Sequence, residues 1–365
     1  MILFICVSIA LLLSACGGGG SDTTGTSTTT TVVLTNVQAL GQQLYFDESL
    51  SSPAGQSCAS CHLPEAGFAD PDDHFPVSEG VISGLFGNRN APTASYAASI
   101  PSFQFDNNND RYLGGQFLDG RASTLEEQAK GPFLNPLEMN NTKEGVIEGV
   151  RLSNYALDFE AIFGAGSLDD IDAAYELVAQ AIAEFERSNV LSPFTSKFDA
   201  VQSNGDVFTL AEQRGFNLFR GKADCARCHS ANGTQPVFTN FTYRNLGVPA
   251  NTDNPFYALD SQFNPEGSDF VDLGLGGVLN DANENGKFRV PTLRNIATTG
   301  PYMHNGLFNS LQEVMEFYNT RDTNPQQEPA EVNVNLDQRI GNLQLTQNEI
   351  EDVIVFLNTL TDGHI

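Results

Sequence analysis

The sequence predicts a mainly α-helical chain built twice on one plan, and three observations predict it. A cysteine–histidine pentad occurs twice, as Cys58-Ala59-Ser60-Cys61-His62 and as Cys225-Ala226-Arg227-Cys228-His229. Each pentad follows a helix signal in which a glycine stands three residues before a leucine–aromatic pair, Gly41 before Leu44-Tyr45 and Gly215 before Leu218-Phe219. A glycine there lets a second helix cross closely. Each half then closes with an amphipathic helix, so the order helix, pentad, long loops, closing helix runs through the 365 residues two times.

In chain order, Ile2 to Leu13 is an apolar run of signal-peptide length, too short to span a bilayer comfortably. Leu13-Ser14-Ala15-Cys16 resembles a bacterial lipobox, making 1–15 a lipoprotein signal peptide and Cys16 the acylated first residue. No Lys or Arg precedes the apolar run, which points to a start codon upstream. Residues 16–36 are rich in Gly, Ser and Thr and read as a tether. About 18 such residues reach roughly 25 Å. The first domain, 37–203, ends on a helix whose inner face is Ile171, Tyr175, Val178, Ile182 and Phe185. The second, 204–365, begins after the polar run at Ser203. Thr209-Leu210-Ala211-Glu212 fits a capping box, as do Ser310 with Glu313 and Thr346 with Glu349. Ile350, Val353, Ile354, Leu357 and Leu360 form the last helix's inner face. From His229 to Pro301 the chain is loop-like, rich in Gly, Asn, Asp and Pro. Asp281 to Gly286 resembles half an EF-hand loop, but its twelfth position is Thr292 where a bidentate Glu is needed, so it reads as a polar turn.

The pentad suits covalent haem attachment: two thiols add to the two vinyl groups of one porphyrin, and the following imidazole sits under the iron. One pentad alone could be half a zinc or redox site; two, each with its helix signal, select haem. The fold class is therefore two cytochrome c-like domains, each of helices and long loops wrapped around one covalently bound haem. Of six cysteines, four hold haem, Cys6 lies in the leader and Cys16 ends the lipobox, leaving no pair for a disulfide. With 45 acids against 18 bases, the net charge of −27 excludes nucleic acid as a partner. It suits a basic partner such as a small c-type cytochrome, and it equally suits a solvated surface.

Further motifs follow at intervals: Phe117-Leu118-Asp119-Gly120-Arg121, Leu125 to Ala129, Gly131-Pro132-Phe133, Glu138-Met139, Val290 to Asn295 and Gly300 to Gly306. Together they resemble the bacterial di-haem cytochrome c peroxidases and their MauG-type relatives, which oxidise residues of a partner protein. The resemblance runs from about residue 37 onward. It implies that the haem on His62 reacts with hydrogen peroxide, with Gln128 and, ten residues on, Glu138 over its iron. A carboxylate there can carry a proton from one peroxide oxygen to the other. It implies that the haem on His229 relays electrons from a small c-type cytochrome. Its far ligand falls fourteen residues beyond His304, at Tyr318, as in the MauG type. Met315, one turn away, is the rival: a thioether raises the potential, whereas a phenolate favours ferric iron. The resemblance also implies a calcium ion on the backbone oxygens of Thr299 and Pro301, although the expected Asn side-chain ligand aligns with Tyr96. Arg294 is a candidate for a haem propionate, and His304 for the wall of the second haem.

Two departures stand out. The family's Trp between the haems is Leu118 here, and the chain has no Trp, so Phe117, Tyr112 and Tyr96 are the candidate electron routes. The His that caps the resting first haem in many peroxidases, sixteen residues after the pentad, is Ser78, and His74 reads as a surface residue. The implied protein is a lipid-anchored periplasmic peroxidase, at the outer membrane in preference to the inner, with room for a homodimer. The alternatives are a MauG-type oxidase and, in a different class, a di-haem electron carrier or redox sensor without turnover.

Overall fold

The computed structural model describes residues 32–72, 74–203 and 205–364; the leader, Cys16 and the tether as far as residue 31 lie outside them. In chain order the helices are α1 (Asn36–Tyr45), α2 (Cys58–Cys61), α3 (Leu125–Leu134), α4 (Lys143–Leu152), α5 (Ala156–Phe163), α6 (Ile171–Glu186), α7 (Lys197–Ser203), α8 (Leu210–Arg220), α9 (Leu275–Leu279), α10 (Leu311–Thr320) and α11 (Gln347–Asn358). Two short antiparallel pairs accompany them: β1 (Gln104–Asp106) with β2 (Arg111–Leu113), and β3 (Tyr243–Arg244) with β4 (Phe288–Arg289).

The predicted helix starts follow from local chemistry. Thr209 Oγ1 accepts from the Glu212 amide at 3.3 Å while Glu212 Oε2 accepts from the Thr209 amide at 2.6 Å. Ser310 with Glu313 and Thr346 with Glu349 make the same reciprocal pair, satisfying donors that a helix start leaves open. In the first half α1 crosses α6 at Gly41, where a Cβ would overlap the Ala181 carbonyl oxygen. In the second, α8 crosses α11 at Gly215, where a Cβ would overlap the Asp352 carbonyl oxygen. Only a residue without a side chain lets backbone approach backbone so closely.

Each crossing seeds its own hydrophobic core. Tyr175, Val178, Ile182 and Phe185 of α6 are all buried, in a core that also takes Leu40 and Leu44 of α1. In the second core Ile350, Val353, Leu357 and Leu360 are buried as expected, while Ile354 is only partly so. Phe356, absent from the predicted face, is its most connected ring: fully buried, 4.9 Å from Phe216 and 5.2 Å from Phe219. Burying such a ring contributes about 1.5–3 kcal/mol.

By packing, Leu34–Ile365 is one compact unit, and loops tie its halves together. Gly114 donates its amide to Phe241 O at 3.0 Å, and Arg289 donates its amide to Leu118 O at 2.8 Å. Deeper in, Arg89 donates Nε and Nη2 to Asp272 at 2.5 and 2.7 Å and Nη1 to Asp119 at 2.6 Å. From Ser230 to Pro301 no helix exceeds the five residues of α9, as the composition predicts. Residues 281–286 form a turn: Asp281 Oδ1 accepts from the Asn283 amide at 2.9 Å, and Glu284 pairs with Lys287 at 3.0 Å.

Candidate haem cradles

Both pentads end in a histidine held from behind in the same way. His62 presents Nδ1 to Phe68 O at 3.3 Å, and His229 presents Nδ1 to Phe238 O at 2.9 Å. A carbonyl can only accept, so Nδ1 carries the proton and Nε2 keeps its lone pair, the tautomer that binds a metal. Burial holds both rings neutral, lowering His229 to about 4 and moving His62 the same way. Phe68 and Phe238 each take a left-handed backbone, φ 59° and 52°, a conformation unusual for a bulky residue and therefore a local cost. Burial also pushes Cys58, Cys61 and Cys225 up to about 12, so they are thiols and not thiolates. Among the described residues no cluster of His, Cys, Asp and Glu forms a metal-holding group.

His229 lines a mainly apolar cavity, as do Cys225, Cys228, Met315 and Tyr318. Two arginines on its wall carry buried nitrogens without a hydrogen-bond partner: Arg289 Nε and Arg244 Nε. Arg244 Nε lies 3.4 Å from Asp337 Oδ2, close enough for attraction without hydrogen-bond geometry. Burial lowers Arg289 to about 10, more than the nearby Asp119 carboxylate offsets. A porphyrin presents two carboxylates to such groups, so the cavity fits a haem by its apolar lining, by its axial histidine and by charge.

This reassigns one expectation. Arg294 is fully buried and occupied elsewhere: its Nη atoms meet Asp199 at 2.6 and 2.9 Å, and Nε donates to Pro236 O at 2.9 Å. It braces α7 and has nothing left for a propionate. His304 does line the cavity, stacked on Phe288 at 3.8 Å, as does Leu118. Tyr318 and Met315 share that wall; Met315 belongs to the second core, whereas no hydrogen bond among the described residues holds the Tyr318 hydroxyl. Thr299 and Pro301 lie on the same cavity. The side chain facing Pro301 O is not Tyr96 but Asn90, whose amide reaches it at 2.5 Å. Tyr96 turns to Asp362 instead.

At the first pentad, Glu138 sits just beyond α3, its Oε1 accepting from Asn135 Nδ2 at 3.0 Å. Its charge is felt at both Cys58 and Cys61, which places it beside the pentad, and burial raises its pKa. Gln128, on α3, is half-buried, and no hydrogen bond among the described residues joins its amide to Glu138. Gln56 was not anticipated: Nε2 donates to Glu79 O at 2.9 Å, and Oε1 is buried without a partner. Ser78 donates its hydroxyl to the Asp70 carboxylate. His74 is exposed, with Nδ1 2.9 Å from Asp72.

A repeated helix crossing, two histidines with Nδ1 turned to a backbone carbonyl and a carboxyl beside one of them fit a two-haem redox protein. The comparisons narrow the class. The di-haem cytochrome c peroxidase family matches residues 35–207. Methylamine utilization protein MauG of Paracoccus denitrificans is 38% identical over 349 residues, covering 89% of this chain and 88% of that protein. Cytochrome-c peroxidase IdrP1 of a Pseudomonas species is 30% identical over 338 residues, covering 88% and 80%. The crystal structure of the diheme peroxidase BthA from Burkholderia thailandensis superposes with a TM-score of 0.80 at 30% identity, covering 91% of this chain and 88% of that one. The chain belongs to the di-haem cytochrome c peroxidase and MauG family, whose members are oxidoreductases acting on peroxide or on protein, and that membership implies two c-type haems.

Proposed function

We propose that the protein reduces hydrogen peroxide to water at the haem on Cys58, Cys61 and His62, drawing electrons from a small c-type cytochrome through the haem on Cys225, Cys228 and His229. The observation that carries this reading is Glu138, a half-buried carboxyl beside the first pentad, oriented by Asn135. When bound, the first haem supplies the electrons and the Lewis acid for O–O cleavage. Glu138 takes the proton from the inner peroxide oxygen on a carboxylate oxygen and returns it to the outer one. Burial favours the protonated form between these two acts, and Gln128 orients the peroxide or a water. Holding that proton within reach is worth about 10²–10⁴ in rate. Glu138→Gln in the holoprotein is expected to lose that factor in peroxide-dependent oxidation of cytochrome c; an unchanged rate removes Glu138 from the mechanism.

A second reading, a MauG-type oxidase of a partner protein, is favoured by Tyr318 in the second cavity and by the 38% identity to MauG. A phenolate there stabilises oxidised iron. Tyr318→Phe should change the second haem's optical spectrum; if Met315→Leu alone does so, the thioether is the ligand. Oxidising equivalents that persist in the presence of reduced cytochrome c would select the partner-protein reading. We further propose a calcium ion on Asn90, Thr299 and Pro301, and a periplasmic protein anchored through Cys16. The Leu13–Cys16 motif and the extracytoplasmic chemistry of c-type haem attachment support the anchor.

A further inference from the structure

We propose that Tyr96 is a redox-active relay between the two haem cradles, with Asp362 as its proton acceptor; the proposal rests on the peroxide-reducing function above. Tyr96 lies between the two histidines. Phe68 O, which holds His62, also accepts the Ala94 amide at 2.8 Å, and Tyr96 follows two residues on. Tyr96 is also one of the residues lining the cavity that His229 lines. A path of two hydrogen bonds and a short run of backbone therefore joins the His62 imidazole to the wall of the second cradle.

The phenol is set up for oxidation coupled to proton loss. Tyr96 is 2% exposed, and its hydroxyl donates to the Asp362 carboxylate, 2.8 and 2.9 Å from the two oxygens. The Phe194 amide donates to the same phenol oxygen at 3.1 Å. The Arg294 guanidinium sits 5.4 Å from the ring centroid. A cation there opposes a positively charged ring, so an electron can leave only if the phenolic proton leaves too. Asp362 is half-buried on the C-terminal segment, so it can take that proton and pass it toward solvent.

The competing aromatics lack this partner. Among the tyrosines on that cavity wall, Tyr302 donates to Ile296 O at 2.9 Å, and no hydrogen bond among the described residues holds the Tyr318 hydroxyl. Tyr243, at the junction of the halves, donates to Gly114 O at 2.6 Å, and a backbone carbonyl cannot keep a proton. Tyr112 stacks on Phe103 in the β1–β2 hairpin, and Phe117 has no proton to lose and lies under Arg121 at 3.6 Å. The repeat adds an independent sign. Four residues after Pro291, where Tyr96 stands after Pro92, the second half has Asn295. Both take the left-handed backbone, φ 61° and 60°, which asparagine tolerates and tyrosine does not favour. A tyrosine held there at a cost is explained by what its ring does.

The step balances. Tyr96 gives one electron to the first cradle, where peroxide has supplied the oxidising equivalents. Its O–H bond breaks and the proton goes to Asp362. One electron arriving from the second cradle then reduces the phenoxyl, which regains its proton. Two such passes, the second after a small c-type cytochrome has re-reduced the second haem, deliver the two electrons that convert one hydrogen peroxide, with two protons, to two waters.

The test uses the holoprotein with its second haem pre-reduced, mixed with one equivalent of hydrogen peroxide. Optical stopped flow follows peroxide consumption and second-haem oxidation separately, and freeze-quench EPR uses normal and ring-deuterated tyrosine. Tyr96→Phe should consume peroxide in the first turnover as the unaltered protein does, oxidise the second haem at least about tenfold more slowly, and lose a tyrosyl signal that narrows on deuteration. Asp362→Asn keeps the ring but not the base and should slow the same step while abolishing its solvent isotope effect. Thermal melts confirm that both variants are folded. If both oxidise the second haem at the unaltered rate while consuming peroxide, or the tyrosyl signal survives in Tyr96→Phe, the relay is wrong and the peroxide-reducing function stands. An unaltered holoprotein that consumes no peroxide overturns that function, and the relay with it.

Discussion

Replacing Glu186 with Gln should make the protein more stable in a way that depends on pH. Glu186 ends α6 at 6% exposure, and no hydrogen bond or ion pair among the described residues reaches its carboxyl. Its neighbour Arg187 turns outward, to Glu126 at 2.7 Å and Glu184 at 3.1 Å. Burial pushes the Glu186 carboxyl from its ordinary 4.5 to about 8. The folded state therefore holds a proton that the unfolded chain releases above about pH 4.5. Stability linked to this group is full below that pH and is lost as pH rises through about 8. At about 1.4 kcal/mol per pKa unit the loss approaches about 5 kcal/mol at alkaline pH and is about 3 at pH 7, both upper bounds. A buried Gln carries its own desolvation cost, but that cost does not change with pH, so the quantity to read is the difference between the two proteins as pH varies. The chain has no Trp, so far-ultraviolet circular dichroism or calorimetry of the holoproteins is the assay. The gap in unfolding free energy should widen by a few kcal/mol between pH 5 and 8. A constant gap would refute the reasoning and show that Glu186 ionises freely where it lies.

Gly215→Ala drives a methyl into the Asp352 carbonyl of the crossing helix and should cost about 1–3 kcal/mol in denaturant unfolding. Ala at Gly41 should cost about the same, because the first half repeats the contact with Ala181. Arg289→Met removes a buried cation from the second cavity. Losing positive charge favours the oxidised haem, so spectroelectrochemistry should show the second midpoint potential falling on the order of tens of millivolts while the first stays put.

What the sequence could show depended on how local the cause was. The caps at Thr209, Ser310 and Thr346 are set by residues three apart, and α6 and α11 by apolar spacing within one helix, so these were legible. Phe356 was missed because a stripe drawn through the aliphatic positions stops short of the ring at its edge. The arginines could not be ranked: Arg294 is claimed by Asp199, 95 positions away, and the Nε atoms of Arg289 and Arg244 are left without a hydrogen bond beside a cavity that exists only after folding. Asn90 and Tyr96 were exchanged for a similar reason, since alignment to a motif does not say which way a side chain turns. Propensity argues against bulky left-handed residues at Phe68, Tyr96 and Phe238, yet these aim the carbonyls and the ring that the cradles need.

The knot of Arg89 with Asp119 and Asp272 spans the two halves almost out of reach of solvent. Pulling it apart would strand charges in the interior, at about 3–5 kcal/mol for a broken buried pair. The halves are therefore pinned and not hinged, and the spacing between their histidines is fixed by packing. Under the proposed function, electron tunnelling across such a junction needs no gating motion. Its rate should be indifferent to glycerol or sucrose in the medium, even where docking of an external donor slows with viscosity.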